Sequence, residues 1–158
     1  MKGRVAVCKE YNTPFVIEEY EVPDLEPQAI LLQMKQSGIC GSDLHVWRGD
    51  QIHTPLPPSG RVMGHEGYGI IHSLGKGVNS DSLGEKIQEG SRVLYTAIFP
   101  CNRCHMCVKG NPNFCINRPY PAAGVYPYFT GSYADYLYLP PGHPVFLAPD
   151  DISDEILA

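Results

Sequence analysis

Short apolar runs and two-residue alternations, cut by Gly, Pro or Asn/Asp signals, recur along this chain. The segments that read as strands are Arg4 to Cys8, Phe15 to Tyr20, Ile30 to Gln36, Gly67 to Leu74, Arg92 to Ala97, Ala134 to Leu139 and Val145 to Ala148. No regular helical pattern separates them, so the expected architecture is mainly β. One helix of about two turns is predicted from Ser42 to Trp47, with Ser42 or Asp43 able to cap its N-terminus. Near the end of the chain, Ser153 followed by acidic residues reads as a second helix start with favourable first-turn charges. The few residues after it fall short of the roughly 12 to 15 that an isolated helix needs. The Pro/Tyr-rich stretch Arg118 to Phe129 is expected to be an ordered loop.

Composition fits that picture. The 158 residues are 43% hydrophobic and 18% charged, which suits one soluble domain with a real core. Sixteen glycines and fifteen prolines suit a barrel of short strands joined by many turns. There is no internal repeat and no composition break. A net charge of -5 without a Lys/Arg cluster argues against a surface that tracks nucleic acid or an anionic membrane. The apolar run Val5 to Cys8 is too short for a secretory signal, and no stretch approaches the roughly 20 apolar residues that span a bilayer. A cytoplasmic protein is expected.

The strongest chemical signal is Cys101, Cys104, Cys107 and Cys115, spaced Cys-x2-Cys-x2-Cys-x7-Cys. Zinc takes four tetrahedral thiolates at about 2.3 Å, and two-residue gaps let a turning backbone present successive sulfurs to one centre. Two disulfides, or free buried thiols, are the competing readings. Neighbours in a Cys-x2-Cys run make poor disulfide partners, and an oxidising compartment is not implied. The four cysteines therefore read as a structural zinc lobe over about residues 98–118. His105 lies inside the lobe but is not needed once four thiolates complete the coordination.

A second constellation is split between Gly38-Ile-Cys-Gly-Ser-Asp-Leu-His45 and Met63-Gly-His-Glu-Gly67, where ligand-type residues sit among glycines that permit tight turns. By spacing alone this pairing is weak, and Cys40 taken singly reads as well as a small buried hydrophobe. His53, His72 and His143 lack ligand-type neighbours and read as surface or satisfied core residues. Cys8 reads as a small buried hydrophobe, and Trp47 as either a pocket wall or core.

Taken together, Gly38 to His45, Gly64-His-Glu-Gly67, Gly90-Ser-Arg-Val93 and the cysteine lobe resemble the N-terminal GroES-like catalytic domain of zinc-dependent alcohol dehydrogenases, in the medium-chain dehydrogenase/reductase superfamily. The resemblance covers essentially the whole chain and implies a GroES-like β-barrel with a few short helices. It also implies that Cys40 and His65 are protein ligands of a catalytic zinc, with Glu66 the adjacent carboxylate able to exchange with the metal's water. Asp43 resembles the carboxylate that hydrogen-bonds the liganding histidine and fixes its tautomer. A helix cap is its other reading. Ser42 matches the hydroxyl that takes the substrate proton and His45 the histidine that passes it to solvent, and i, i+3 spacing puts the two on one helix face. Many relatives carry a basic residue where this chain has Gly41, so the cofactor phosphates must rely on other groups.

The implied function is hydride transfer between an alcohol or polyol and NAD or NADP through a zinc-bound alkoxide, with one structural and one catalytic zinc. No Gly-x-Gly-x-x-Gly fingerprint occurs, so the Rossmann domain is expected to be absent from this chain. The family's third catalytic ligand, a Cys, Asp or Glu, is expected a few residues beyond Ala158, leaving the isolated chain inactive. The resemblance further implies a small-molecule alcohol/aldehyde or polyol/ketone substrate and a homodimeric or homotetrameric parent. The alternative is a free-standing zinc-stabilised binding module, which would leave Cys40, His65 and Glu66 unexplained.

Overall fold

The computed structural model describes residues 1–50, 56–98, 100–117 and 128–157. Among the described residues there are eight strands: β1 (Lys2–Cys8), β2 (Val16–Glu21), β3 (Ile30–Ser37), β4 (Arg61–Val62), β5 (Gly67–Leu74), β6 (Arg92–Tyr95), β7 (Tyr136–Leu139) and β8 (Val145–Leu147). Three short α-helices, α1 (Gly41–Arg48), α2 (His105–Val108) and α3 (Asp154–Leu157), and one 3₁₀ turn at Pro112–Phe114 accompany them among the described residues. All seven expected strands and the helix after Cys40 form, and at the expected start after Ser153 the four-residue α3 forms despite its length, with Leu157 packed against Tyr68 and Ala148. The sequence pattern misses β4, whose two residues are too few to show alternation, and α2, which lies inside the cysteine lobe. His53 and residues 118–127 of the expected loop lie outside the described residues.

Two sheets share the strands, in the orders β2-β1-β4 and β7-β3-β5-β6-β8. Among the described residues every strand pair is antiparallel, and no parallel dinucleotide-binding fold is present. Residues 133–135 join the sheets. Val5 bridges Ala134, the Ala6 N–H donates to the Tyr133 carbonyl at 2.8 Å, and the Asp135 N–H donates to the Arg4 carbonyl at 2.8 Å. On the other side the Met34 N–H reaches the Asp135 carbonyl at 2.9 Å. The Arg4 guanidinium clamps the Asp135 carboxylate through Nε and Nη2, each at 3.0 Å.

Strand alternation sorts the core. On β7, Leu137 and Leu139 pack with Ile30, Leu32, Ile71 and Val93, while the intervening Tyr138 faces Val5, Val7, Val62 and Phe129. This strand is buried on both faces, which is why Tyr-Leu-Tyr-Leu shows no polar alternation. Cys8, His143 and His105 match expectation: Cys8 is buried, His143 is a buried histidine whose Nε2 lies 2.9 Å from the Thr96 carbonyl, and His105 is exposed. His72 lies in β5, half-buried and packed edge-on against the Tyr136 ring.

One buried carboxylate ties a loop to this barrel. Asp81 accepts the N–H groups of Leu83 and Glu85 on Oδ1, at 2.8 and 2.9 Å, and that of Leu147 on Oδ2 at 2.9 Å. Burial pushes its pKa up, but the converging backbone donors outweigh burial and hold the carboxyl below the usual range. Its stabilising effect is therefore complete above the unfolded carboxylate value of about 3.9 and is lost as pH falls through the lower folded value. Asp81→Ala, which orphans those donors, is expected to cost about 2 kcal/mol of stability at neutral pH. An unchanged urea midpoint in the variant would contradict this account.

Candidate functional site

The antiparallel pairing of β3 with β5 brings the two scattered motifs together. Ser37, the last residue of β3, pairs with Gly67, the first of β5. Cys40 follows the end of one strand and His65-Glu66 precede the start of the other, so both meet at one end of the barrel. The Gly38 N–H and the Ser37 hydroxyl both donate to the Glu66 carbonyl, at 3.1 and 3.0 Å. Glycine is required on either side of the ligands. Gly67 has φ +148° and a Cβ there would stand 2.3 Å from the Gln36 carbonyl oxygen; at Gly64, φ +87°, it would stand 2.4 Å from the Ser132 hydroxyl.

In that turn the Cys40 sulfur, a ring nitrogen of His65 and a Glu66 carboxylate oxygen lie within 4.8 Å of one another. Zinc ligand distances of about 2.0–2.3 Å imply donor separations of about 3.3–3.8 Å, so only a small closure is needed. One thiolate, one imidazole and one carboxylate are all ordinary zinc donors, and the residues present fit the metal. His65 presents Nε2 to this side, 4.0 Å from Glu66 Oε1 and 3.4 Å from the Ser42 hydroxyl. Its Nδ1 faces Asp43 Oδ1 at 3.5 Å.

Asp43 lies at the start of a helix and also faces His65. Helix α1 begins at Gly41, with Cys40 rather than Ser42 or Asp43 at the N-cap, so the expected cap is displaced by two or three residues. Asp43 sits in the first turn, where its Oδ2 accepts the Cys40 N–H at 3.0 Å. Its Oδ1 accepts the Gly64 N–H at 3.2 Å while facing His65. Sequence reasoning missed the remaining partner, Tyr133, whose hydroxyl lies 3.1 Å from Asp43 Oδ2 and 3.2 Å from the Gly38 carbonyl. Burial, followed by the Asp43 charge, pushes the Tyr133 pKa up, so the hydroxyl stays a donor. No motif spacing announces this tyrosine, since it arrives through barrel closure.

Ser42 and His45 both lie on α1. The Ser42 hydroxyl approaches His65 Nε2, while the exposed His45 ring stands 3.2 Å from the Asp50 carboxylate through Nδ1. Trp47 is half-buried, donates to the Thr13 carbonyl at 2.7 Å, and lines an apolar cleft of about 230 Å³ with Phe15, Leu44, Met63 and Tyr133. That cleft touches Asp43 but none of Cys40, His65 and Glu66.

The cysteine lobe is a separate site. Its sulfur separations include 3.5 Å for Cys104–Cys107, 3.9 Å for Cys104–Cys115 and 4.0 Å for Cys101–Cys107. A tetrahedral zinc–thiolate centre demands about 3.8 Å, so the lobe already has the dimensions of its ion. All four thiols are unbridged. The Cys101 N–H points at Cys115 Sγ and the Cys104 N–H at Cys101 Sγ, both at 3.3 Å. Backbone donors hold the Cys104 pKa down, to about 6, whereas burial and the neighbouring sulfurs push Cys107 up, to about 12. Such packed thiols lose their protons together only beside a cation. His105 lies on α2, exposed, outside this set.

Residues 26–150 match the alcohol dehydrogenase GroES-like domain, and the chain belongs to that family. Among curated relatives, 5-exo-hydroxycamphor dehydrogenase of Pseudomonas putida is 36% identical over 99% of this chain and 42% of its own length. The solved structure of an alcohol dehydrogenase from Thermotoga maritima superposes with a TM-score of 0.85 at 28% identity, covering 99% of this chain and 43% of that one. Acetophenone reductase of Geotrichum candidum, solved in complex with NAD, gives a TM-score of 0.75 at 26% identity, covering 97% and 42%. The chain thus spans about two fifths of the length of these relatives. Among the described residues no helix is long and apolar enough to cross a membrane.

The donor sets predict unequal metal retention. After exhaustive dialysis the 158-residue chain is expected to keep one zinc, held by four thiolates, and to lose the ion held by Cys40, His65 and the exposed Glu66. Two firmly retained zincs per chain in elemental analysis would refute this.

Proposed function

We propose that this chain is the catalytic domain of a zinc-dependent oxidoreductase that moves hydride between an alcohol or polyol and a nicotinamide cofactor, NAD or NADP. The observation that carries the reading is the convergence of Cys40, His65 and Glu66 at one end of the barrel, backed by Asp43. Family membership and the cofactor bound by the acetophenone reductase neighbour support it. Cys40, His65 and Glu66 would hold the catalytic zinc and the four lobe cysteines a structural one. When bound, the catalytic zinc supplies a Lewis acid that polarises the alcohol oxygen and lowers the pKa of its hydroxyl.

The chain's own groups account for the proton. Ser42, beside the metal-facing nitrogen of His65, is placed to accept the hydroxyl proton of the alcohol. His45, one turn further along α1 with the Asp50 carboxylate beside its ring, would take that proton onward and release it at the surface. A nicotinamide cofactor would supply the acceptor for the carbinol hydride, while Ser42 and His45 carry the O–H proton away. Asp43 keeps the His65 ring oriented throughout. Electrons and protons balance without a further oxidant. The nicotinamide cofactor would be bound by a dinucleotide-binding portion of the longer protein, which would also complete the catalytic metal's ligands and the substrate cleft.

A longer protein carrying this chain is expected to reduce NAD or NADP in the presence of a primary or secondary alcohol. Cys40→Ser should abolish turnover, and Ser42→Ala should lower kcat by roughly 10²-fold with little change in KM. Full turnover of Cys40→Ser in a steady-state assay would reject the assignment of the metal site.

A further inference from the structure

Tyr133 is the group at this site that the proton route and the ligand set leave unused. Its backbone is held from both sides: its carbonyl accepts the Ala6 N–H of β1 at 2.8 Å, and its N–H donates to the Met63 carbonyl at 3.0 Å, next to the ligand turn. The adjacent Ser132 N–H donates to the Gly64 carbonyl at 3.0 Å. The side chain therefore starts from a fixed point, and the Phe15 ring packs edge-on against it at 6.0 Å between centroids. Its hydroxyl ends between Asp43 Oδ2, at 3.1 Å, and the Gly38 carbonyl, at 3.2 Å. One hydroxyl proton is thus shared between the carboxylate that faces His65 and the backbone two residues before Cys40.

We propose that Tyr133 is a positioning residue for the metal centre, whose hydroxyl fixes the Asp43 carboxylate against His65 and the Gly38–Cys40 backbone against the barrel. The proposal rests on the reading of Cys40, His65 and Glu66 as metal ligands. Without the hydroxyl, Asp43 Oδ2 keeps only the Cys40 N–H and Oδ1 only the Gly64 N–H, so the carboxylate is held less firmly against His65, and the Gly38 carbonyl loses the shorter of its two side-chain donors, keeping the Ser37 hydroxyl at 3.4 Å. Outer-shell partners of this kind typically alter metal affinity by about 10–100-fold.

The test is a cobalt(II) titration of the 158-residue chain whose cysteine lobe has first been loaded with zinc, comparing wild type, Tyr133→Phe and Cys40→Ser. Tyr133→Phe is expected to raise the cobalt dissociation constant by about 10-fold or more and to shift the visible d–d bands, with zinc retention at the lobe and the thermal midpoint nearly unchanged. A dissociation constant within twofold of wild type and superimposable spectra would overturn the proposal. If wild type shows no cobalt spectrum that Cys40→Ser removes, the metal reading itself fails and the positioning role falls with it. If Tyr133→Phe weakens the lobe and lowers the melting temperature as much as it weakens the cobalt site, the tyrosine is a structural residue only, and the proposal is likewise overturned.

Discussion

The Asp43 carboxylate is the contact on which the rest of the site depends. It is buried, at 6% exposure, and its two oxygens gather the Cys40 N–H, the Gly64 N–H, the Tyr133 hydroxyl and the face of His65. These partners come from the start of α1, the ligand turn before β5 and the segment that closes the barrel. A charge buried this deeply is tolerable only with several donors around it, and each donor belongs to a different part of the fold. The geometry of the candidate metal site is therefore inherited from the folded barrel.

Barrel closure supplies the frame. Residues 133–135 pair with β1 on one side and contact β3 on the other, and the Arg4–Asp135 clamp holds them there. The same short segment delivers Tyr133 to Asp43. Pairing of β3 with β5 does the complementary task by placing Cys40 and His65 at one end. Two non-local registers thus determine a site whose residues lie far apart in sequence.

How much of this was legible in the chain follows from that distinction. The seven strands, the helix after Cys40 and the cysteine lobe all rest on local patterns, and they formed within a few residues of their expected bounds. The β4 strand was not legible, because Arg61 and Val62 gain strand character only by pairing with Cys8 and Val7. The capping role of Asp43 was legible, but its helix starts earlier than Ser42, with Cys40 itself at the N-cap. Tyr133 carried no signal at all: it stands just before the expected strand Ala134 to Leu139, and only closure points it at Asp43. Cys40, His65 and Glu66 lay between these cases, weak by spacing and recognisable only through family resemblance.

The two metal centres differ in how their assembly is coupled to folding. The lobe draws its four sulfurs from residues 101–115, so bringing them together closes only short loops, and the ion can organise the segment with little help from the barrel. The Cys40–His65–Glu66 site needs the β3–β5 register, the α1 cap and the closing segment before its donors meet. A local centre of this kind needs little of the barrel to assemble, whereas the Cys40–His65–Glu66 cluster exists only as far as the barrel is closed. On the proposed reading, the structural ion would sit where all donors are neighbours, and the exchangeable one where Glu66, half exposed, is the least buried of the three donors.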